Sequence, residues 1–202
     1  VLFRSNLEFE LKLKKLNQDL NNLDRDKIHI VYFDYRICFT NVYHNFLMLA
    51  TKLLAFITRK KDIDHVAHIS RFVKDGKNYL PKVFEATMEY GMMENDLFEK
   101  IKHFKGDVYI ETIKEVNKNK AKIFEANFKG VQYSKLNALL SGLNLEELSD
   151  QSRGGFCSWS VPKFLIDQGM DITRIEGGNP LKITPSDLFE GNLGDKKLIW
   201  RN

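Results

Sequence analysis

The sequence predicts an α+β fold in which an antiparallel sheet packs on helices and an amphipathic helix precedes the domain. One observation is a hairpin signal: strand-like runs flank Lys74-Asp75-Gly76-Lys77, and Asp-Gly favours a tight turn between antiparallel strands. Another is that several segments repeat apolar residues every three or four positions, as helices with one buried face do. The chain has 202 residues, of which 43% are hydrophobic, and this is enough to form the core of one domain with an additional segment.

Residues 2–24 form the first predicted element, a helix with a single apolar stripe. The stripe follows a 3–4 spacing and consists of Leu2, Phe9, Leu13, Leu16, Leu20 and Leu23. It has to be buried on the domain itself, on a second copy of the chain or on another protein. We therefore divide the chain into an amphipathic helix for association or docking, 1–26, and a domain, 27–202. We expect the helix to be an association element that can be separated from the domain.

The remaining pattern predicts a sheet covered by helices. The predicted strands are 27–33, 65–73, 82–87 and 107–112, the last being the third or fourth strand of the sheet. The predicted helices are 40–59, a short helix ending near Phe104, 115–128 and turns within 134–148. Residues 189–202 are expected to be an irregular tail anchored by Trp200. Met88, Met92 and Met93 either fill the core or line an adaptable cleft.

The hairpin brings a histidine and a glutamate together. Because it folds about position 75, His65 and Glu85 are predicted to lie directly opposite each other on one face. This requires a loop of odd length, since a slip of one residue would turn Glu85 to the other face. A carboxylate beside an imidazole fixes the tautomer of the ring and favours its charged form, which is the orienting role in a Cys/His site.

Cys157 is the candidate nucleophile. It follows two glycines at 154 and 155 and opens a helical segment in which Pro162 is expected in the first turn and Gly169 at the C-terminal stop. A thiol at a helix N-terminus is exposed to partial positive charge and unpaired N–H groups, which stabilise a thiolate and then an oxyanion. The alternative for Cys157 is a buried, inert cysteine.

Five ordered segments carry a resemblance to a known family. They are Phe56-Ile57-Thr58-Arg59 leading to Asp64-His65-Val66-Ala67, then Val83-Phe84-Glu85-Ala86, Gly130-Val131-Gln132-Tyr133, Phe156-Cys157-Ser158 and Ile183-Thr184-Pro185-Ser186-Asp187-Leu188. Together they resemble the circularly permuted branch of the papain-like NlpC/P60 superfamily, the YiiX/YaeF-like group with poxvirus relatives, in which the histidine precedes the cysteine. The chain departs from that pattern at Asp64, where a serine is usual, and at Trp159, where a glutamate is frequent.

The resemblance implies a permuted papain-like domain that acts as a cysteine hydrolase, a peptidase, amidase or related acyl-transfer enzyme. Cys157 would be the nucleophile, His65 the general base and acid, and Glu85 the group that orients the imidazole. Thiolate attack on an amide or ester would give an acyl-enzyme, with the oxyanion held by backbone N–H groups near Cys157. Peptide, peptidoglycan-peptide and acyl-lipid substrates stay open, and no cofactor is expected. Tyr133 lines the cleft or packs in the core.

The alternative function is a non-catalytic binding or assembly protein that retains the papain-like fold, held in a larger particle through residues 2–24. A metal site is not expected. His65 and His68 point to opposite faces of one strand, and no Cys/His spacing matches a structural zinc site. His68 is therefore interpreted as a structural or surface residue.

Charge, cysteine content and hydropathy limit the classes of partner and the cellular compartments that we expect for this protein. The net charge is +4, and the lysine runs are typical of solvated helix faces, so a nucleic-acid partner is not expected. Cys38 and Cys157 make no disulfide framework, and Cys38 is predicted to lie in the core. The apolar stretch at 46–57 is shorter than the roughly 20 residues of a membrane span, and no signal peptide is visible. These features favour a cytoplasmic or virus-associated protein over a disulfide-rich secreted one.

Overall fold

The computed structural model describes residues 2–35, 63–87, 89–134 and 156–202. Within them the protein is α+β with a six-stranded antiparallel sheet, which confirms the predicted fold class at that level. Several expectations fall outside the described residues: the helix at 40–59, nearly all of the turns at 134–148, Cys38, Met88 and the glycines at 154 and 155. None of the described helices is both long and apolar enough to cross a bilayer.

Six strands form the sheet in the spatial order β4-β3-β2-β1-β5-β6, with every neighbouring pair antiparallel. The strands are β1 (Lys27–Tyr35), β2 (His65–Asp75), β3 (Asn78–Thr87), β4 (Gly91–Asp96), β5 (Gly106–Glu115) and β6 (Asp195–Arg201). Near-continuous burial of β1 from Ile28 to Phe33 shows that both faces of the sheet are covered. A strand that is buried on both faces needs a continuous apolar run, and the sequence of β1 is such a run rather than an alternation of apolar and polar residues.

Three of the five described α-helices have a side chain that caps their first turn. The described helices are α1 (Leu2–Asn21), α2 (Leu97–Lys102), α3 (Lys118–Phe128), α4 (Cys157–Asp167) and α5 (Pro185–Glu190). The side chains of Asp96, Asn117 and Thr184 accept hydrogen bonds from the first turns of α2, α3 and α5. These caps set where each helix starts relative to the sheet.

The two faces of the sheet carry separate cores, which we name after the two histidines of β2. His65 pairs with Phe33 across β1 and β2, whereas His68 pairs with Ile30, so the two rings leave the strand on opposite sides. The core of the His68 face includes Ile30, Tyr32, Val66, Phe84, Met92, Phe124, Trp159 and Phe164. The core of the His65 face includes Leu16, Leu20, Val31, Phe33, Ala67, Val83, Leu97, Ile101 and Trp200.

Helix α1 docks on its own domain. Leu16 and Leu20 are 0% and 1% exposed in the core of the His65 face, and Asp19 forms a 2.6 Å ion pair with Lys197 of β6. The apolar stripe could have been buried on the domain itself, on a second copy or on another protein. For these two leucines the structure shows burial on the domain itself. Leu7 and Leu11 remain exposed. Whether residues 1–26 can be separated from the domain stays a prediction.

Two segments differ from the sequence expectation. Residues 91–96 form β4 ahead of the predicted short helix, which makes the strand at 106–115 the fifth in the chain rather than the third or fourth. The irregular tail expected at 189–202 is wrong, because Asp195–Arg201 pairs with β5 as an edge strand. Charged side chains are usual on an edge strand, and here they obscure its alternation. Trp200 does anchor it, buried and donating from its indole N–H to the Phe104 carbonyl at 3.2 Å.

Candidate active site

Cys157 is the first residue of α4, as the sequence predicts. Phe156 precedes it in an extended conformation, and its carbonyl accepts from the N–H groups of Trp159 and Ser160. Gly169 adopts a φ of +78° just after the helix, consistent with its predicted role as a stop. Pro162 is not in the first turn but one turn further in, because the helix already starts at Cys157. The ring removes a helical N–H there, and the Ser158 carbonyl loses its usual donor.

His65 and Glu85 do meet, but they are not directly opposite. His65 Nε2 lies 2.5 Å from Glu85 Oε2. The antiparallel ladder pairs His68 with Phe84, and continuing that register places Glu85 opposite Ala67, so Glu85 lies diagonal to His65 on the same face. The turn has two residues, Gly76 and Lys77, between the paired Asp75 and Asn78, rather than the odd-length loop expected.

A β-bulge at Ser70 restores the alignment. Ile69 pairs with Val83 and Arg71 with Lys82, which leaves Ser70 as the extra residue in β2. Without it, the hairpin register would carry Glu85 to the face of His68. The predicted contact between the two side chains is therefore present for a different geometric reason.

Glu85 is fully buried and receives three donors. Besides His65, Lys100 of α2 donates to Oε2, and Asn95 of β4 donates to Oε1 at 2.8 Å. Burial alone would raise the pKa of Glu85, but the hydrogen bonds and charges of His65 and Lys100 hold it at about 2. A carboxylate that is ionised at neutral pH thus supports the imidazole.

The other side of the imidazole faces the thiol of Cys157, with which it shares a hydrogen bond. Nε2 is committed to Glu85, so Nδ1 is the nitrogen left for sulfur. Burial would lower the pKa of His65, but the thiolate charge and the bonds to Cys157 and Glu85 raise it to about 9, against Lys100. Burial likewise opposes the thiolate, yet the charge and hydrogen bond of His65 lower the pKa of Cys157. The two shifts act in the same direction, and each group favours the charged form of the other.

Backbone N–H groups complete the surroundings of the sulfur. The Ser158 N–H in the first turn of α4 and the Val66 N–H of β2 both hydrogen-bond the thiolate and lower the pKa of Cys157. Val66 is available because the ladder between β2 and β3 ends at His68 and Phe84. The helix start also leaves the N–H of Cys157 without an intrahelical acceptor, where an oxyanion could be bound.

Tyr133 reaches the same sulfur. Gly130 and Val131 exchange backbone hydrogen bonds of 2.8 Å with Met92 of β4, which fixes the approach of the chain to the site. Gly91 permits this contact, since a Cβ there would lie 2.3 Å from the Val131 oxygen. Burial, then the charge of Cys157 and a hydrogen bond to it, raise the pKa of Tyr133. Its phenol is thus a neutral donor to the thiolate rather than a packing residue alone.

The residues around His65 hold the start of β2 against the end of β1. Asp64 accepts from the Tyr35 N–H at 2.9 Å, and its own N–H donates to the Phe33 carbonyl at 3.0 Å. Just before them, the Ile63 N–H donates to Ser186 Oγ of α5 at 3.3 Å. Asp64, which departs from the family pattern, therefore has a local structural role. Trp159, the other departure, is buried against Phe128.

His68 takes no part in this cluster. Its ring stacks on Phe164 of α4 at 3.8 Å and is fully buried. Glu125 lies 3.4 Å away, but neither ring nitrogen has a hydrogen-bond partner among the described residues. Burial lowers the pKa of His68, with Glu125 opposing. The structural interpretation of His68 agrees with this position.

The structure brings together all three side chains expected from the sequence and adds Lys100, Asn95 and Tyr133. Lys100 and Asn95 were invisible as site residues because they arrive through β4 and α2, and β4 was not recognised. Among the described residues, no group of His, Cys, Asp and Glu side chains is suited to a metal ion. Chemically, the cluster is a thiol of lowered pKa with an imidazole on one side and backbone N–H donors on the other.

No family model, curated protein or solved structure matches this chain.

Proposed function

We propose that the chain is a thiol hydrolase of permuted papain-like architecture that acts on an amide or ester bond, as a peptidase, amidase or related acyl-transfer enzyme. One observation carries the proposal: Glu85, His65 and Cys157 form a hydrogen-bonded row that ends at a helix start, with the imidazole pKa raised and the thiol pKa lowered. The chain order of a strand histidine, a strand glutamate and then a helix cysteine supports the permuted arrangement.

The first half-reaction forms the acyl-enzyme. Cys157 Sγ attacks the substrate carbonyl carbon, and the new S–C bond pushes charge onto the oxygen, which accepts a hydrogen bond from the Cys157 N–H. The tetrahedral species collapses by breaking the C–N or C–O bond. His65 Nδ1 gives its proton to the leaving amine or alkoxide, so the imidazole ends neutral.

The second half-reaction restores the site. Neutral His65 takes a proton from water, whose oxygen attacks the thioester carbonyl, and the C–S bond breaks to release the acid and the thiolate. Glu85 stays ionised throughout because its pKa is about 2. Its role is to hold the ring through Nε2 and to stabilise the imidazolium, as the third member of such sites does.

Lys100 and Asn95 act as positioning residues in this scheme. Both bond Glu85 rather than the imidazole, Asn95 through Oε1 and Lys100 through Oε2. They limit the rotation of the carboxylate and keep it charged. The charge of Lys100 also works against the imidazolium, which holds the pKa of His65 below the value the carboxylate and thiolate alone would give.

The test is capture of the acyl-enzyme. The full chain is incubated with a panel of peptide amides and acyl esters, quenched in acid and measured by intact-protein mass spectrometry. We expect an acyl adduct that maps to Cys157, persists in Cys38→Ala and disappears in Cys157→Ala. Adducts on Cys38 alone, or a Cys157 thiol that alkylates only near the reference thiol pKa of about 8.5, would contradict the proposal.

The non-catalytic alternative has one observation in its favour, since Cys157 is only 7% exposed. A thiol that serves only packing would need no imidazolium beside it. The two functions therefore differ in the rate of Cys157 alkylation at pH 6, which is high for the enzyme and low for an assembly protein that keeps the fold.

A further inference from the structure

Two cations share one oxygen of the buried carboxylate in the candidate active site. His65 Nε2 lies 2.5 Å from Glu85 Oε2, and the ammonium group of Lys100 donates to the same atom. Asn95 donates to the other oxygen, Oε1, at 2.8 Å and carries no charge. The single negative charge of Glu85 can therefore balance the imidazolium or the ammonium group, but not both.

Packing fixes the position of Lys100 beside the imidazole. Leu97 and Ile101 anchor α2 in the core, and both are fully buried. The ammonium nitrogen of Lys100 lies 4.8 Å from the centre of the Phe33 ring, and the centre of that ring lies 5.6 Å from the centre of the His65 ring. The side chain of Lys100 is 21% exposed, so water screens its charge only in part. A positive charge is thus held next to His65 by the fold itself.

The titratable and charged groups around the imidazole come from several elements. They are Glu85 of β3, Lys100 of α2, Cys157 of α4, Tyr35 at the end of β1, Asp64 and Tyr133. Burial raises the pKa of both tyrosines, so their phenols are neutral. The carboxylate of Asp64 accepts from the Tyr35 N–H at 2.9 Å. In the ion-pair form of the site, two anions, the thiolate and Glu85, therefore balance two cations, the imidazolium and Lys100.

Acylation of Cys157 removes one of the two anions. In the proposed reaction the thiolate becomes a neutral thioester, and His65 Nδ1 gives its proton to the leaving group. Burial lowers the pKa of His65, and the charge of the thiolate, with the hydrogen bonds of Cys157 and Glu85, raises it to about 9 against Lys100. Once the thiolate is consumed, burial and Lys100 both oppose the imidazolium, and the bond to Glu85 alone favours it.

We propose that Lys100 is a positioning residue for deacylation: by pairing with Glu85 Oε2, it leaves His65 neutral in the acyl-enzyme, where the imidazole has to accept a proton from water. The inference rests on the proposed hydrolase function and concerns its second half-reaction. In that step the water oxygen bonds the thioester carbon, the proton of the water passes to His65 Nδ1, and the C–S bond breaks to release the thiolate of Cys157.

The charge balance explains why a lysine is needed there. With Lys100 present, Glu85 and Lys100 neutralise each other in the acyl-enzyme, and a second positive charge in this buried place would have no anion. Without Lys100, Glu85 would be balanced by keeping His65 as imidazolium. An imidazolium has no lone pair to accept a proton, so water would not be activated and the acyl-enzyme would persist.

The first experiment needs no substrate. Full-length Cys157→Ala lacks the thiolate, as the acyl-enzyme does, and NMR follows the titration of the His65 Cε1–H signal, which is assigned by its loss in His65→Gln. With Lys100 in place, the midpoint should lie at least about two pH units below that of the parent protein. Adding Lys100→Met to Cys157→Ala should raise it again by about one unit, a tenfold shift in the protonation equilibrium.

Two further variants in the Cys157→Ala background separate charge from packing. Lys100→Arg keeps the positive charge and should leave the His65 midpoint within about half a unit of that in Cys157→Ala. Lys102→Met is the matched control, since it removes a lysine from the same helix that pairs with Glu99 at 2.5 Å and not with Glu85. It should move the midpoint by less than about 0.3 units.

The second experiment uses a substrate that forms an acyl adduct on Cys157 in the parent protein. Lys100→Met should slow adduct loss at pH 7 about tenfold while changing adduct formation less than about threefold, and the pH profile of adduct loss should move upward by about one unit. A variant that merely damaged the fold would slow both steps. Lys100→Arg should restore the parent rate of adduct loss.

Three results would overturn the inference. One is a His65 midpoint in Cys157→Ala that stays near that of the parent protein, a comparison that needs no variant of Lys100. Another is an equal midpoint with and without Lys100. The third is equal slowing of adduct loss by Lys100→Met and Lys102→Met. If the parent protein forms no adduct, the hydrolase proposal fails and this inference with it, whereas a missing shift in the titrations overturns this inference alone.

Discussion

His65 and His68 lie three residues apart on one strand, each beside a glutamate, yet they have opposite properties. His65 has a 2.5 Å hydrogen bond to a buried carboxylate and a thiol on its other side, and its pKa is raised to about 9. His68 is stacked in an aromatic pocket, lacks hydrogen-bond geometry to its glutamate at 3.4 Å, and has a lowered pKa.

The difference shows that a nearby carboxylate does not by itself make a charged imidazole. Burial disfavours the charge of both rings, and at His65 the charge of the Cys157 thiolate together with hydrogen bonds to Cys157 and Glu85 overcomes it. At His65 the ring is bonded at both ends, whereas at His68 the space is filled by Phe164, Phe124 and Phe84. The first ring is held in its charged form by its partners, and the second is held neutral by its packing.

The largest effect is expected from removing the helix that covers the His65 face. Deleting residues 1–24 exposes Leu16 and Leu20 and should lower the free energy of unfolding by about 3 to 6 kcal/mol, at 1.5 to 3 kcal/mol for each buried leucine. Urea unfolding measures the loss, and light scattering measures the mass. A truncated protein of unchanged stability but lower mass would show that the helix is the separable association element that the sequence predicts.

The two glutamates should differ in what they contribute. Glu85→Gln removes the buried carboxylate that pairs with the part-buried cations of His65 and Lys100, and breaking a buried ion pair typically costs about 3 to 5 kcal/mol. Glu125→Gln, the matched control on the His68 face, should cost less than about 1 kcal/mol because its contact with His68 is not a hydrogen bond. Urea unfolding at pH 7 compares them, and equal losses would contradict the distinction between the two pairs.

The two histidines should differ in their effect on the thiol. His65→Ala removes the group that lowers the pKa of Cys157, so the rate of alkylation by iodoacetamide at pH 6 should fall on the order of 100-fold, towards that of an ordinary thiol. His68→Phe should change the rate by less than about twofold, since it replaces one ring with another in an apolar pocket. The rate in His68→Phe is measured on protein shown by circular dichroism to be folded. A similar fall in both variants would assign the effect to the fold and not to His65.

The pH dependence of stability should have opposite signs at the two rings. The folded pKa of His65 is raised, so its contribution is complete below the unfolded pKa of 6.5 and is lost as the pH rises through about 9. The folded pKa of His68 is lowered, so stability is lost as the pH falls below 6.5, and His68→Phe should remove that loss. Each slope is at most about 1.4 kcal/mol per pH unit. Unfolding curves from pH 5 to 10, roughly the span of these titrations, test this, and a parent-like acidic slope in His68→Phe would contradict the assignment.

At low pH, Glu85 affects the free energy of unfolding in the direction usual for a carboxylate, because its pKa is lower in the folded state than in the unfolded state. Its folded pKa is about 2 against an unpaired value of 4.5, so its contribution is present above 4.5 and is lost as the pH falls towards 2. In Glu85→Gln this part of the acid unfolding should disappear while the part due to His68 remains.

Local chemistry explains which parts of the site the sequence could predict. Gly169 and the glycine pair before Cys157 mark the limits of a helix, and Asp75-Gly76 marks a turn. The helix start at Cys157 and the hairpin therefore follow from nearest-neighbour preferences. The contact between His65 and Glu85 was also predicted, but its register was not. Ser70 has nothing in its local sequence that indicates a bulge, since the bulge depends on which residues of β3 it faces.

The parts that were missed depend on distant partners. Gly91–Asp96 becomes a strand because Gly91 is pressed against the Val131 carbonyl, a contact forty residues away in the chain. That strand carries Asn95 and leads into the helix that carries Lys100, so both supports of Glu85 were missed together. β6 was missed because its edge position allows Lys196 and Lys197 where a central strand would have apolar residues.

The bulge at Ser70 makes the site tolerant of one kind of genetic change and vulnerable to another. Substituting Ser70 alters two hydrogen bonds, to the Lys82 carbonyl and to Glu94, and leaves the alternation of β2 intact. Deleting it would shift the phase by one residue and deliver the buried carboxylate to His68 on the opposite side of the sheet. The length of β2 between the turn and His65, more than the identity of any residue within it, determines which histidine carries the charge.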